Sequence, residues 1–516
     1  MMNTIRKSVQ SKPWLGWILF ILTAVVVFAL GLLTSSIIER RTEAQYLDAK
    51  KIDIQQFEPR NIVWGQNYPK QYESYMAMRD TSFVSKYNGN AVIDHLENYP
   101  ALVVLWAGYG FSKDYSQPRG HVYAVKDLTQ TLRTGAPKVG EGEEPMPATC
   151  WTCKSPDVPR MMDDIGVKEF YMGKWSKHGE EVVNPIGCAD CHNENTMDLQ
   201  ITRPALVEAF ERQGKNINEA THQEMRSLVC AQCHVEYYFN KEKPYEGVPY
   251  LTFPWDNGMT VEAIEKYYDD MEFSDWTHKL SKAPMIKAQH PGYEIYQTGI
   301  HAERGVACAD CHMPYKSEGG VKYTDHKIQS PLNNIANSCQ VCHRESAEEL
   351  TKNVYANMDR VMENRGELEH LLTKAHMEAE FAWKLGATDT QMKAALTDIR
   401  HAQWRWDFAA AGHGSAAHAP VEVLRIIGSA IKIAQDARLK IAGVVYELGH
   451  KGDIPLADVS TKEKAQAYIG LDMEKLVKEK KKFLEEVVRE WHEAAKERED
   501  AMPQYDINTR AVSLIK

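Results

Sequence analysis

Hydrophobic and polar positions divide the chain into three stretches. The first, Trp14 to Ile38, is 25 residues without a charge, and about 20 apolar residues are enough for a helix to cross a bilayer. The second, residues 45 to about 345, has weak periodicity and is rich in Pro, Gly, Tyr and Trp. In the third, from Glu345 onward, apolar residues recur at helical spacing. The segments with this spacing are Ala347–Lys374, Gln391–Ala411, Val421–Glu447 and Lys462–Arg498.

These patterns predict a mainly α-helical protein in three parts. Residues 1–44 are a short tail followed by a membrane anchor or signal segment, residues 45–345 carry the cysteine motifs described below, and residues 346–516 form long helices. The long helices are long enough to pair with a second copy of the chain. The charged run from Lys478 to Lys482 is interpreted as a solvated helix face rather than a docking patch.

Basic residues precede the apolar segment, and this arrangement keeps the tail in the cytoplasm while the rest of the chain is exported. They are Arg6, Lys7 and Lys12. A cleaved signal peptide has an apolar core of about 7–15 residues, so the length of Trp14–Ile38 favours a retained anchor. Cleavage remains the alternative, because Thr34-Ser35-Ser36 offers small residues, although no Ala-x-Ala is present.

Composition excludes one class of partner. The chain has 516 residues, 43% of them hydrophobic, and a net charge of −10 from 71 acidic and 61 basic residues. Such a chain can bury a core. Because it is acidic and has no basic tract, we expect no nucleic-acid partner.

Ten cysteines form five C-x-x-C pairs with none left over. Four of the pairs are followed directly by histidine, which is the attachment motif of c-type haem: both sulfurs bond the porphyrin and the histidine binds iron. The four motifs are Cys188-Ala-Asp-Cys191-His192, Cys230-Ala-Gln-Cys233-His234, Cys308-Ala-Asp-Cys311-His312 and Cys339-Gln-Val-Cys342-His343. Zinc sites and redox thiols also use C-x-x-C, but neither needs a histidine after the second cysteine four times over. Covalent haem attachment belongs to the outer side of a bacterial membrane, in agreement with export.

The fifth pair, Cys150-Trp151-Thr152-Cys153-Lys154, has lysine in the histidine position. One interpretation is a pair without haem, or a haem whose ligand lies elsewhere. The other, which the chemistry favours, is that the Lys154 amine binds iron directly, since burial beside a cationic metal can keep a lysine amine neutral. Of the 19 histidines, 15 remain as candidates for second iron ligands, and spacing alone does not choose among them.

Segments around the motifs carry a resemblance to a known family. They are Pro118-Arg119-Gly120-His121, Leu132-Arg133-Thr134-Gly135-Ala136-Pro137, Cys233-His234-Val235-Glu236-Tyr237-Tyr238-Phe239, Lys287-Ala288-Gln289-His290-Pro291, Gly299-Ile300-His301, Tyr323-Thr324-Asp325-His326-Lys327 and His418-Ala419-Pro420. With four C-x-x-C-H motifs preceded by one C-W-x-C-K, the chain resembles the pentahaem, ammonia-forming cytochrome c nitrite reductases from about Asn67 to Ala430.

The resemblance implies a multihaem cytochrome c fold with a haem-packed N-terminal part and five covalently bound haem c groups. Lys154 would be the proximal ligand of the catalytic haem, and the histidine of each C-x-x-C-H motif would be the proximal ligand of its own haem. The distal ligands that it implies are His326 for the Cys188/Cys191 haem, His121 for Cys230/Cys233, His418 for Cys308/Cys311 and His301 for Cys339/Cys342.

The resemblance also implies six-electron reduction of nitrite to ammonium at the catalytic haem, whose free iron position Arg133, Tyr237 and His290 would surround. The Arg133 guanidinium is always positively charged and can donate paired hydrogen bonds to an anion. His290 can relay protons near neutral pH, and Tyr237 contributes a phenol hydroxyl. A non-catalytic electron carrier would instead need two strong ligands on every haem. Hydroxylamine oxidation is disfavoured by the active-site set, and sulfite as a side substrate stays open.

A calcium ion is implied beside this site. Glu236 would supply a carboxylate, Tyr237 and Lys287 backbone carbonyls and Gln289 an amide oxygen, which is an oxygen set of the kind that calcium prefers. The ion would brace Tyr237 and His290.

Two expectations concern partners and location. We expect a homodimer, held on the periplasmic side of the inner membrane by its N-terminal segment, which receives electrons from a membrane quinol-oxidising cytochrome or a periplasmic donor. A soluble periplasmic protein after cleavage is the alternative.

Overall fold

The computed structural model describes residues 11–47, 52–87, 89–137, 144–318 and 321–505. Helices dominate these residues and the strands are short, which confirms the predicted mainly α class.

Up to residue 345 the helices are short, apart from the first. They are α1 (Pro13–Leu47), α2 (Asn61–Asn67), α3 (Pro69–Met76), α4 (His95–Asn98), α5 (Ala101–Leu105), α6 (Ala124–Gln130), α7 (Asp157–Ile165), α8 (Val167–Tyr171), α9 (Cys188–Cys191), α10 (Pro204–Arg212), α11 (His222–Ala231), α12 (Val261–Asp270), α13 (Gly292–Gln297), α14 (Ile300–Glu303), α15 (Cys308–His312) and α16 (Ile335–Ser338). Turns of 3-10 helix lie between them at Ala77–Arg79, Gly110–Ser112, His121–Tyr123, Leu132–Thr134, Ala148–Trp151, Trp175–His178, Ile217–Glu219 and Pro331–Asn333.

Three small antiparallel strand pairs accompany these helices. They are β1 (Tyr238–Asn240) with β2 (Tyr250–Thr252), β3 (Trp276–Thr277) with β4 (Pro284–Met285), and β5 (Tyr315–Glu318) with β6 (Val321–Thr324). The residues that stand opposite each other include Tyr238 and Thr252, Trp276 and Met285, and Tyr315 and Thr324.

After residue 345 most of the helices are longer. They are α17 (Ala347–Lys384), α18 (Asp389–Ala411), α19 (Ser415–His418), α20 (Pro420–Glu447), α21 (Lys462–Tyr468) and α22 (Met473–Ala501). Helices α17, α18 and α20 pack side by side through fully buried apolar side chains such as Leu372, Ile399 and Ile427. An ion pair between Arg438 and Glu378 at 2.6 Å joins α20 to α17.

The pattern from Lys462 to Arg498 predicts one helix, but the structure has two. Gly470 adopts a φ of +68°, a left-handed conformation that ends helices. The Asp472 side chain then accepts a hydrogen bond from the Lys475 N–H at 3.0 Å and caps α22. The interpretation of the charged run as a solvated face is wrong at Lys480, which is buried with 4% of its surface exposed.

Helix α1 contains the predicted membrane segment. Residues Pro13–Glu39 form the one stretch of the described residues that is long and apolar enough to cross a membrane, with a mean hydropathy of 2.6 and none of it buried. A retained anchor and a signal segment both meet these criteria of length and composition.

The C-terminal helix α22 packs back on the N-terminal portion. Trp491 and Phe483 contact the ring of Trp175, with ring centres 5.4 and 5.9 Å away. Trp175 in turn stacks on Trp151 at 5.0 Å. Helix α22 therefore covers the segment that contains the fifth cysteine pair.

Candidate functional site

The five cysteine pairs lie in or beside short helices. Helix α9 is the Cys188/Cys191 pair itself, and Cys308 begins α15. Cys230 lies in the last turn of α11, and Cys150 lies in the 3-10 turn Ala148–Trp151. None of the ten cysteines is in a disulfide, so all remain available for covalent attachment.

Thiols from different pairs meet in space. The thiols of Cys153 and Cys233 lie close enough to shift each other's pKa, and so do those of Cys230 and Cys308. Cys339 lies close enough to Cys311 to raise the pKa of its thiol, in addition to the larger effect of burial. The contacts thus follow one another along the pairs Cys150/Cys153, Cys230/Cys233, Cys308/Cys311 and Cys339/Cys342.

Four pairs of histidine rings face each other. A metal–imidazole bond is about 2.0–2.1 Å long and a ring centre lies about 1.1 Å beyond its nitrogen, so two rings on opposite sides of one iron have centres about 6.2 Å apart. The observed separations are 6.3 Å for His192–His326, 6.2 Å for His121–His234, 6.1 Å for His312–His418 and 6.2 Å for His301–His343. Each separation fits one iron between the rings. Each pair joins the histidine of one C-x-x-C-H motif to the distal ligand that the resemblance implies.

Backbone carbonyls orient three of these rings. In each, Nδ1 lies within hydrogen-bond distance of a carbonyl oxygen: His192 of Met197 at 2.9 Å, His312 of Gln329 at 2.9 Å and His326 of Thr324 at 2.8 Å. A carbonyl only accepts hydrogen bonds, so Nδ1 carries the proton. Nε2 therefore keeps its lone pair for a metal, an arrangement common among histidine ligands.

Burial favours the neutral form of three rings of the set. It lowers the pKa of His121 and of His326 to about 4, and that of His418 to about 3. Histidine binds a metal only in its neutral form, so these rings are in the state that iron ligation requires.

The Cys150/Cys153 pair has a different setting. Among the described residues, the Lys154 amine makes no hydrogen bond or ion pair. Trp151, between the two cysteines, is fully buried. It stacks on Trp175, and its indole N–H donates to the Trp175 carbonyl at 2.9 Å. Aromatic packing of Trp151 on Trp175 therefore fixes the position of the Cys150/Cys153 pair.

Arg203 is a buried residue that sequence reasoning did not single out. It is 1% exposed, and its guanidinium donates to the carbonyls of Thr152 at 2.6 Å and Ser155 at 2.9 Å and pairs with Asp190. Thr152 lies within the Cys150/Cys153 pair and Asp190 within the Cys188/Cys191 pair. Gln232, within the Cys230/Cys233 pair, accepts from the Arg203 backbone N–H at 3.2 Å. Arg203 thus ties three cysteine pairs together.

A signal for these contacts was present in the repeated Cys-Ala-Asp-Cys-His motif. Asp190 accepts a hydrogen bond from the Gly187 N–H at 2.8 Å, and Asp310 accepts one from the Ala307 N–H at 2.7 Å. Asp310 also pairs with Arg226 at 2.9 Å, as Asp190 pairs with an arginine. Haem attachment does not require an aspartate at this position, so its repetition indicates a structural partner.

Arg133, Tyr237 and His290 converge on the Cys150/Cys153 pair. Burial raises the pKa of the Cys150 thiol to about 12, although the charges of Lys154 and Arg133 oppose this shift. Burial also raises the pKa of Tyr237 well above its usual value, and both thiols of the pair add to this effect. His290 has its pKa lowered by burial and by the charge of Lys154. All three side chains are therefore within electrostatic reach of this motif.

The residues expected to hold calcium surround a buried carboxylate. Glu236 is fully buried and accepts hydrogen bonds from the Gln289 N–H at 2.6 Å and the Tyr268 hydroxyl at 2.9 Å. The Gln289 amide donates to the Lys287 carbonyl at 3.2 Å. Burial raises the pKa of Glu236 well above its usual value, so an ionised carboxylate here needs a cation beside it.

This arrangement suits calcium rather than a metal that prefers nitrogen or sulfur. The oxygen donors that the resemblance implies are one carboxylate, one amide and the backbone carbonyls of Tyr237 and Lys287. The described residues contain no group of three or more His, Cys, Asp or Glu side chains placed to hold a metal ion. The Lys287 amine pairs with Asp407 at 2.9 Å, and its carbonyl accepts the hydrogen bond from the Gln289 amide.

Comparison with known proteins agrees with these features. Residues 61–501 match the model of the cytochrome c552 family. The chain belongs to the cytochrome c552 family. Cytochromes c-552 of Bacteroides fragilis strain YCH46 and of Parabacteroides distasonis are each 59% identical to it, over 486 and 487 residues, covering 94% of this chain and 97% of the relative. The Porphyromonas gingivalis cytochrome c-552 is 56% identical over 491 residues, with 95% and 98% covered.

A solved structure extends this comparison. The cytochrome c552 chain resembles cytochrome c nitrite reductase from Desulfovibrio desulfuricans, with a TM-score of 0.71 and 29% identity over 82% of this chain and 91% of that one. The work on that enzyme concerns two calcium sites in its catalytic subunit. The likeness confirms the predicted multihaem cytochrome c fold, with covalently bound haem c.

Five cysteine pairs predict five covalent haems in this cytochrome c552. The mass of the denatured holoprotein should exceed that of the polypeptide by five haem units in intact-protein mass spectrometry, because thioether bonds survive denaturation. Replacing Cys150 and Cys153 by alanine should remove one unit. A wild-type mass with four haems would contradict attachment at this pair.

Proposed function

We propose that this cytochrome c552 reduces nitrite to ammonium, with six electrons, at a lysine-ligated haem c that is fed by four bis-histidine haems. One contrast carries the proposal. Four C-x-x-C-H motifs have a second histidine at a separation suited to iron, whereas the Cys150/Cys153 pair has Lys154 and, near it, Arg133, Tyr237 and His290. The likeness to the Desulfovibrio desulfuricans nitrite reductase supports the same reaction.

Haem c bound at Cys150 and Cys153, with Lys154 as its proximal ligand, would supply an iron with one position free for nitrite and a path for electrons. Thiols of the pairs Cys150/Cys153, Cys230/Cys233, Cys308/Cys311 and Cys339/Cys342 lie near one another in turn, which supports a continuous row of haems beside this site. Trp151, packed on Trp175, would hold the proximal side rigid.

The protein side chains bind the anion and supply protons. Nitrite takes up six electrons and eight protons and leaves as ammonium and two water molecules. The Arg133 guanidinium attracts the anion and stabilises negative charge that develops on oxygen as the N–O bonds weaken. His290 donates a hydrogen bond to the bound anion and relays protons, and the Tyr237 hydroxyl offers a second donor.

Substitution of Arg133 and His290 separates binding from chemistry. Arg133→Ala removes the attraction for the anion and should raise the nitrite KM as well as lower turnover. His290→Ala should mainly lower turnover or release partly reduced nitrogen species, because its hydrogen bond matters most during N–O cleavage. Loss of one such donor costs about 10²–10³ in turnover.

The measurement is nitrite-dependent ammonium production by purified holoprotein. Arg489→Ala is a matched control, because the side chain of Arg489 is 69% exposed on α22. Near-wild-type ammonium production by both site variants, with intact haem spectra, would show that nitrite binds elsewhere in the protein.

We also propose a calcium ion held by Glu236, the carbonyls of Tyr237 and Lys287, and the Gln289 amide oxygen. The contact of Glu236 with the Gln289 N–H supports this set. Glu236 is next to Tyr237, and Gln289 is next to His290, so an ion at this point would hold two active-site residues in position.

Loss of calcium should therefore lower activity without loss of haem. Glu236→Ala or exhaustive chelation should reduce nitrite turnover by about 10–100-fold, the usual scale for losing support around a metal or active site. Glu242→Ala, at an exposed position, is the control. Unchanged turnover in calcium-free protein, verified by metal analysis, would rule out the bracing role.

A homodimer is proposed through the long helices. Val421, Leu439 and Tyr446 on α20 are 82%, 72% and 63% exposed. They lie close to whole helical turns apart and therefore share one face. Exposed apolar side chains on one face of a long helix, here interspersed with the exposed Lys432 and Gln435, are suited to packing against the same face of a second copy.

We propose that helix α1 is a retained anchor that crosses the inner membrane and holds the rest of the chain on the periplasmic side. A membrane quinol-oxidising cytochrome or a periplasmic donor would supply the electrons. The native protein should then stay with membranes after a high-salt wash and need detergent for release. Sedimentation of the solubilised protein should give the mass of two haem-loaded chains. A monomer in the soluble periplasmic fraction, with a mature N-terminus near Ile37, would contradict both proposals.

A further inference from the structure

One lysine of the charged run on α22 points into the protein. Lys480 is 4% exposed, whereas the side chain of its neighbour Lys481 is 75% exposed. The Lys480 ammonium donates to Thr134 Oγ1 at 2.9 Å and to the Gly135 carbonyl at 2.8 Å. Its nitrogen lies 4.7 Å from the ring centre of Phe483. The ion pairs of the described residues include its neighbours in the run but not Lys480 itself.

A buried ammonium without a carboxylate partner is costly to maintain. Burial lowers the pKa of Lys480 to about 7, although the more distant Asp114 opposes the shift. A methionine of similar length would fill this space without the cost of desolvation. Packing therefore does not explain why this residue is a lysine. The explanation lies in the groups to which its ammonium donates hydrogen bonds.

Those groups belong to the short 3-10 turn that carries Arg133. At the start of the turn, Thr131 Oγ1 donates to Asp114 at 2.8 Å and accepts from the Arg133 N–H at 3.4 Å and Nε at 3.2 Å. At the end of the turn, Gly135 adopts a φ of +70°, and its carbonyl accepts the hydrogen bond from Lys480. Asp114 and Lys480 thus fix the turn from its two sides.

Arg133 depends on this turn because few contacts hold its side chain. Its guanidinium carbon lies 4.3 Å from the ring centre of Phe111, and Nε reaches Thr131. No ion pair of the described residues includes Arg133. A guanidinium held by neutral groups follows its backbone, and an anion site loses affinity when its charge moves by about 0.5–1 Å.

We propose that Lys480 is a positioning residue for nitrite, whose two hydrogen bonds to Thr134 and Gly135 keep the Arg133 guanidinium aimed at the bound anion. This inference rests on the role proposed for Arg133. It gives α22 a part in substrate binding in addition to its packing on Trp175.

The test uses haem-loaded variants of the full chain. Lys480→Met keeps the volume and removes the donor, and Lys481→Met is the matched control on the exposed side of the same helix. Thr134→Val removes the acceptor from the opposite side of the contact, together with the bond that its hydroxyl donates to the Thr131 or Leu128 carbonyl. The readouts are the nitrite KM, the turnover number, and the Kd of the oxidised protein for nitrite from optical titration, with the neutral ligand nitric oxide for comparison.

Lys480→Met and Thr134→Val should each raise the nitrite KM and Kd by about tenfold, the lower end of the scale for lost support around a site. Turnover should change less, and haem content, haem spectra and nitric oxide affinity should match those of Lys481→Met. Nitrite binding equal to that of Lys481→Met in both variants would overturn the proposal. If Lys480→Met does not retain its haems, Lys480→Leu, which also removes the donor, takes its place.

Combination with Arg133→Leu distinguishes positioning from direct attraction by charge. If Lys480 acts through Arg133, Lys480→Met should add no further rise in the nitrite Kd of Arg133→Leu, because both changes remove one interaction. An additive rise would overturn the positioning role. If Arg133→Leu itself left nitrite binding unchanged, the role proposed for Arg133 would fail, whatever Lys480 does.

Discussion

The path of this chain depends on a constraint of coordination geometry. Two imidazoles that share an iron must face each other with ring centres about 6.2 Å apart, and four pairs of distant residues meet this separation at once. His192 meets His326 at 6.3 Å, and His312 meets His418 at 6.1 Å. The segments before residue 345 are short and offer few long elements that could pack by themselves. Histidine pairs would therefore fix their path as a sheet or a helix bundle does in other folds.

Buried polar contacts also help to fix the positions of the cysteine loops, in addition to the histidine pairs. A buried ion pair adds little net stability, because desolvation offsets the attraction. The Asp190–Arg203 pair is better explained by geometry: a guanidinium has five donors in a rigid fork, and here it reaches the carbonyls of Thr152 and Ser155 as well as the carboxylate. These contacts together restrict how the cysteine loops can be arranged.

The sequence predicts residues that lie at a fixed spacing from a motif. It does not predict residues that tertiary packing brings together from distant parts of the chain. Covalent attachment places each proximal histidine next to its cysteines, so His192 could be predicted from spacing. Its partner His326 could not, because it is one of 15 histidines outside the motifs, and only the family resemblance indicated it. A single glycine is compatible with a helical pattern, so the break at Gly470 was missed. Lys480 was missed because apolar periodicity does not register a buried charge.

The order of the proposed ligands along the chain has a consequence for biogenesis. Export delivers the N-terminal segments first, so all five cysteine pairs would reach the outer side of the membrane before His418, which lies beyond them in the sequence. The ring of His418 faces that of His312 at 6.1 Å. A haem attached at Cys308 and Cys311 would therefore gain its second ligand only after most of the chain had crossed the membrane.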